Sequence, residues 1–293
     1  MTWNRRQWLL AAGAAMVGAE RVGRSLAADD ASPKKVLFFT KSSGFQHSVI
    51  TRHGDKLSHA EQILSDLGKS NGFEVVCSKD GTLFDPDKIG QWDAFAFETT
   101  GDLTTMGPHK DGKPMSKEGK KAFLDAIRAG KGFVGMHCAT DTFHSQGDQL
   151  DPYIEMIGGE FITHGNQQKI KLDVFDSNFP GAQPFGSSFE LNDEWYALKN
   201  QPDDLHVIIG YDTKTMTGNM YQRPNFPATW ARMHGRGRVF YTSMGHREDV
   251  WSNPMFQGLL VGALNWATGK VDVNVAPNVE KVTPGYKELP KRK

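Results

Sequence analysis

Four histidines sit where apolar runs of this chain give way to polar loops: His47, His137, His164 and His246. Imidazole changes charge near neutral pH and is the commonest metal ligand. Carboxylates accompany these histidines in the chain, at Glu98, Asp102, Asp141, Asp193, Glu194 and Glu248. Such a set suits general acid–base catalysis or the binding of a divalent ion. Glu248 follows His246 by two residues, which pairs a base with a carboxylate. Asp141 follows His137 by four, placed either to orient the imidazole or to cap the next helix. The expected catalytic groups are therefore His137, His246, Glu248 and Asp141. His47, Asp102, His164, Asp193, Glu194 and Trp195 are the expected substrate contacts. In Asp193-Glu194-Trp195-Tyr196, acids adjoin aromatic rings, the combination with which proteins grip sugar hydroxyls and C–H faces; Trp and Tyr serve equally as core residues. His47, His137, His164 and His246 are the nitrogen donors available to a divalent metal such as zinc. No tight His-x-x-x-His or Cys-x-x-Cys spacing demands one.

These groups need a scaffold that brings distant loops together. Val36–Phe39, Phe73–Cys77, Ala94–Phe97 and Phe133–His137 read as buried strands. Between them, Leu57, Ala60, Ile63, Leu64 and Leu67 mark a helix ended by Gly68. A second helix starts at Ser116 and stops at Gly130. Alternating strands and helices imply a parallel sheet covered on both faces. In such sheets ligands bind just beyond the carboxyl ends of the strands, where His47 and His137 fall. The second half is more mixed. Ile170, Leu172 and Val174 alternate, Val207–Gly210, Thr229–Met233 and Val239–Ser243 read as strands, and Gly235-Arg236-Gly237 is a turn. Phe256, Leu259, Leu260, Ala263, Leu264 and Ala267 mark a last helix. Residues 270–293, rich in Pro, Lys and Val, read as a C-terminal tail.

Absent motifs narrow the chemistry. No Gly-x-Gly-x-x-Gly follows the first strand and there is no P-loop, which argues against a dinucleotide or nucleoside-triphosphate enzyme. The Gly-x-Ser-x-Gly elbow of hydrolases is missing too. Cys77 reads as a core residue and Cys138 as a loop residue, and no disulfide is expected between them.

Several segments, in order, resemble the ThuA-like (trehalose-utilisation) family. They are Val36 to His47, Thr99-Thr100-Gly101-Asp102, Gly132 to Thr142, Gly158-Gly159-Glu160-Phe161 leading to His164, Asp193 to Tyr196, Pro227 to Trp230, and Gly237 to Glu248. The likeness covers about residues 35–269. It implies an α/β fold of the flavodoxin-like, class I glutamine amidotransferase-like kind: a mainly parallel sheet with helices on both faces. Amidotransferases carry a cysteine nucleophile at the elbow where this chain has His137. Cys138 stands one residue late, at a position where the family usually has a small residue, so thioester chemistry is not expected. His246 and Glu248 echo the amidotransferase His-x-Glu pair. The resemblance implies a small-molecule carbohydrate as ligand. The expected activity is cleavage of glycosides or disaccharides, oxidised (keto) sugars among them; the alternative is a non-catalytic sugar-binding domain.

The N-terminus carries Arg5-Arg6 before an apolar run and small residues at Ser25 and Ala27. This is the anatomy of a twin-arginine export leader over residues 1–27, cleaved near Ala27, with a periplasmic or secreted product. The apolar run is shorter than the ~20 residues that span a bilayer, and no membrane anchor is expected. Removing the leader takes four arginines and one glutamate from 34 basic and 34 acidic residues, leaving 30 against 33. That slight acidity argues against nucleic acid as a partner. Replacing Arg5 and Arg6 by lysine is expected to hold the precursor in the cytoplasm. Cell fractionation checks this, and normal export of the double variant would refute the leader.

Overall fold

The computed structural model describes residues 32–290; the leader expected over residues 1–27 lies outside them. Its first half is a parallel sheet. β1 (Lys34–Phe39), β2 (Phe73–Ser78), β3 (Ala94–Phe97) and β4 (Gly132–Met136) pair in the order β2-β1-β3-β4, all parallel. The inner strands are buried along nearly their whole length, as expected of a sheet covered on both faces. α1 (His59–Asn71) links β1 to β2, and α2 (Lys117–Arg128) links β3 to β4. From β1 the chain steps one way along the sheet, and from β3 the other. With right-handed crossovers, these helices fall on opposite faces. The direction of stepping reverses between β1 and β3, the kind of point where such sheets bind ligands.

Local chemistry sets the helix ends. Ser58 and Glu61 form a capping box at the start of α1. Glu61 also accepts a 2.6 Å bond from Thr40 and is gripped by Arg52, so the helix start is tied to the end of β1. Under β3, Phe97 stacks on Phe123 of α2 at 5.1 Å, inside a cluster with Phe84, Phe95 and Phe133.

The second half extends the sheet with antiparallel strands. β6 (Gln168–Val174), β7 (Ser188–Asp193), β9 (His206–Tyr211), β10 (Pro227–His234) and β11 (Gly237–Thr242) complete a nine-stranded order, β2-β1-β3-β4-β11-β10-β9-β6-β7. β11 is parallel to β4, and each later pairing is antiparallel. Four reversals of direction leave β7 running with β11, so both end at the carboxyl edge of β1, β3 and β4. β5 (Glu160–His164) and β8 (Tyr196–Lys199) form a separate two-stranded sheet. Between β4 and β5 lies the short α3 (Pro152–Ile157); after β11 come α4 (Glu248–Trp251), α5 (Pro254–Ala267) and the short α6 (Val279–Val282). Among the described residues, no helix is long and apolar enough to cross a membrane.

Two expectations are corrected. Gly68 does not end α1. The helix runs to Asn71 and is closed by Gly72 in the left-handed conformation. Gly68 is there for contact: a Cβ would lie 2.5 Å from Val75 of β2. Secondly, β4 stops at Met136, one residue early, and His137 begins a tight turn. Of the tail expected over residues 270–293, the described part packs back on the body. Val279 and Tyr286 are buried, and Asn278 exchanges hydrogen bonds with Val207 of β9.

The loop Pro180–Gly181 crosses α5 at Gly258 and Gly262. A Cβ at Gly262 would fall 1.9 Å from the Pro180 carbonyl oxygen. Gly262→Ala is expected to cost about 1–3 kcal/mol or somewhat more through overpacking. Urea unfolding measures this, and wild-type stability would show that the crossing yields freely.

Candidate functional site

The carboxyl edge gathers loops from four strands. His47 follows β1, His137 follows β4, His246 follows β11, and Glu194 follows β7. The end of β7 meets the β11 loop directly: the Gly245 amide donates to Asp193 Oδ2 at 2.8 Å. His137, Glu194, His246 and His47 each offer a ligand atom, and these atoms all lie within 4.8 Å of one another.

Three of those atoms form a compact triangle. His246 Nδ1 is 3.2 Å from His137 Nε2 and 3.2 Å from Glu194 Oε2, and His137 Nε2 is 3.5 Å from that oxygen. Neighbouring ligand atoms around a tetrahedral zinc, with bonds of ~2.1 Å, are about 3.4 Å apart. The three imidazoles stand nearly perpendicular to one another, with centroids 4.9 to 5.1 Å apart and interplanar angles of 81° to 90°. Outside the triangle, His164 Nδ1 lies 3.1 Å from the other oxygen, Glu194 Oε1, and its side chain is exposed.

The surroundings fix how these groups present themselves. The Ser243 carbonyl lies 3.1 Å from His137 Nδ1 and can only accept, so Nδ1 carries the proton and donates. In neutral His137 the Nε2 lone pair therefore points into the triangle, the arrangement typical of metal-bound histidine. His137 has φ of +39°, a left-handed backbone rare for a side chain of this size. Such a conformation costs about 1–3 kcal/mol. Contacts around it hold it in place: Tyr241 donates to the His137 carbonyl at 2.7 Å, in addition to the Ser243 bond. His47 is buried, and its Nδ1 has no hydrogen-bond partner; Tyr196 Oη is 3.5 Å from its Nε2.

Charge follows from this packing. Burial would raise the Glu194 carboxyl, but the imidazoles of His137 and His246 beside it outweigh that and hold the group well below the usual carboxylate range. Burial would lower His246, yet the Glu194 bond and charge raise it above the ordinary imidazole value. His47 is pushed well below that value by burial and by its two histidine neighbours. The site thus holds an ionised carboxylate and a neutral His47. With the His137 proton turned away, one N–H on His246 can satisfy only part of the triangle. A divalent cation would satisfy all its lone pairs at once, and three imidazoles with a carboxylate suit zinc and similar first-row ions.

The fold and the motifs agree with comparisons to known proteins. A family model described as "Trehalose utilisation" matches residues 35–267. The chain belongs to the ThuA family. No curated protein matches it in sequence. Among solved structures, a ThuA-like protein from Parabacteroides merdae ATCC 43184 is 17% identical, with a TM-score of 0.60 over 89% of this chain and 98% of that one. Another ThuA-like protein, from Bacteroides uniformis ATCC 8492, is 18% identical, with a TM-score of 0.59 over 80% and 92%. At these identities the likeness concerns the fold.

In this ThuA-family chain, the structure brings together His47, His137, His246 and Glu194, with His164 at the rim. It separates others. Glu248 does not pair with His246: its Oε1 accepts from Ser48 Oγ at 2.6 Å, and that bond lowers its carboxyl. Asp141 does not orient His137. It binds His144 Nε2 at 2.6 Å, and His144 also contacts Glu160, which together raise its imidazole. Asp102 caps its own turn through Thr104. Trp195 is fully buried and donates to the Gln168 carbonyl, so it touches no substrate. Asp193 acts from behind, accepting from the Gly245 and Glu194 amides. Glu98 lies in the core with both carboxylate oxygens unpartnered, and burial and Asp193 push it well above the carboxylate range, as a neutral acid.

Cys138 is fully buried beside the elbow, and burial raises its thiol well above the ordinary value. Burial also pushes the Cys77 thiol up to about 11. Both thiols are free. Because the thiolate is the reactive form, both are expected to label at least about tenfold more slowly than free cysteine at pH 8. Timed alkylation with mass detection checks this; rapid single labelling at Cys138 would restore a thiol mechanism.

Proposed function

We propose that this chain is an exported carbohydrate-processing enzyme whose His47, His137, His246 and Glu194 hold a divalent metal such as zinc. Its proposed substrates are glycosides or disaccharides of the trehalose kind, with a 3-keto glycoside as the favoured form. The observation that carries the reading is the 3.2, 3.2 and 3.5 Å triangle of His246 Nδ1, His137 Nε2 and Glu194 Oε2. Its edges suit a metal site, and it draws on three separate loops. The family description supports the sugar. The residue 1–27 leader supports export.

The chemistry follows from the substrate. In a 3-keto glycoside, the C–H beside the carbonyl is acidic. A base removes that proton, the electron pair moves into the ring as the glycosidic C–O bond breaks, and the aglycone leaves with a proton. Addition of water to the resulting double bond gives net hydrolysis. A bound divalent ion would polarise the keto oxygen as a Lewis acid. With the triangle engaged, His164 is the imidazole left at the rim to move the proton. Glu194 Oε1 holds it in position at 3.1 Å. Glu194 would thus serve both the ion and the base.

The test separates these roles. His137→Ala is expected to lose bound metal, measured by elemental analysis, and to lower turnover of 3-keto-trehalose by about 10²-fold or more. His164→Asn is expected to lower turnover similarly while keeping its metal. Cys138→Ser is expected to change neither. A metal-free wild-type protein would refute the centre. Saturable sugar binding without turnover by the metal-loaded wild type would leave the sugar-binding alternative in its place.

A further inference from the structure

Nearly every aromatic ring of the described residues is packed away, but Phe45 is 68% exposed. It is the only aromatic among the exposed large hydrophobic side chains of those residues. Solitary exposed apolar side chains are ordinary on a protein surface. What sets Phe45 apart is its place and the rigidity of its loop. It lies two residues before His47, and the two rings meet edge to face with centroids 5.0 Å apart and planes at 87°.

The backbone around it is held from both sides. The Ser43 and Gly44 amides donate to the Thr100 carbonyl at 2.8 and 3.3 Å. Thr100 Oγ1 donates to the Phe45 carbonyl at 2.7 Å. Gln46 donates to Asp111 at 3.2 Å, and His109 Nε2 contacts the Gly44 carbonyl. Thr100 belongs to the loop after β3, so two strand ends hold the segment at the carboxyl edge. The loop is therefore fixed with its phenyl ring largely in solvent and in edge-to-face contact with a histidine of the cluster. Such a ring, beside polar groups that converge on one point, matches the usual composition of a small-molecule site.

We propose that Phe45 is the apolar platform on which a hexopyranose ring lies when it reaches the imidazole–carboxylate cluster; this rests on the carbohydrate reading above. The ring covers the sugar's C–H face while the cluster meets its oxygen atoms. Phe45 is a positioning residue that selects for a pyranose face and takes no part in proton transfer.

Calorimetric titration of the metal-loaded mature protein with trehalose and with 3-keto-trehalose tests this. Phe45→Ala is expected to weaken binding by about tenfold, the scale of one lost aromatic contact. Its KM should rise with kcat little changed, the pattern for binding lost equally from ground and transition states. Phe45→Trp should bind as wild type, and both variants should keep wild-type metal content and melting temperature. Wild-type affinity in Phe45→Ala would overturn the platform alone, leaving the carbohydrate reading standing. Loss of metal in Phe45→Ala would also overturn it, by showing that the ring acts through His47. Failure of the wild type to bind either sugar would remove both readings.

Discussion

The site depends on one buried anion. Glu194 is drawn into a pocket of imidazoles, and a carboxylate leaves water only when its charge is met. Here imidazole nitrogens stand at both of its oxygens, His246 Nδ1 3.2 Å from Oε2 and His164 Nδ1 3.1 Å from Oε1, with Asp193 pinning the β7 end to Gly245 behind it. Every long-range feature of the fold bears on that meeting. The parallel half sets His47 and His137 at one edge. β11 adds His246 because it runs with β4. The antiparallel half brings Glu194 to the same edge because its reversals are even in number. An odd number would have sent the carboxylate to the opposite end of the sheet.

Much of this was legible in the sequence. The four apolar runs, the helices between them and the turn at Gly235 follow from periodicity and punctuation, since buried parallel strands read as continuous apolar segments. The three imidazoles were legible because each stands in a loop straight after such a run. The sequence marks Glu194 as well, but as a sugar contact, and it points to Glu248 as the partner of His246. Closeness in sequence favoured Glu248. In space its side chain turns to Ser48, and the carboxylate that meets His246 comes from 52 residues away in the chain, across the β7 junction. The direction of β7 depends on pairings among β10, β9, β6 and β7, and no local pattern announces those.

The residues around Glu194 show why neighbours in sequence fail as neighbours in function. Successive side chains of extended backbone point to opposite sides. Glu194 faces the imidazoles, so Asp193 and Trp195 face elsewhere: Asp193 to backbone amides, Trp195 into the core. An acid-plus-aromatic string reads as one sugar-binding motif, but the pleat divides it into one carboxylate of the cluster and two supports. The exposed ring stands instead at Phe45, where the apolar Val36–Phe39 run has ended and no periodicity remains to mark it.

The elbow after β4 ties the scaffold to its chemistry. The turn there carries His137 at φ +39°, in the left-handed region. An imidazole reaches farther than a thiol and has a second nitrogen, so it can be held from behind and still offer a lone pair in front. The Ser243 carbonyl accepts the rear proton, and Ser243 directly follows β11 in the segment that leads to His246. One short segment therefore sets the tautomer of one histidine and the position of another. Cys138, one residue later, is turned into the core, where burial keeps its thiol protonated. The strain that would sharpen a nucleophile serves here to aim a nitrogen.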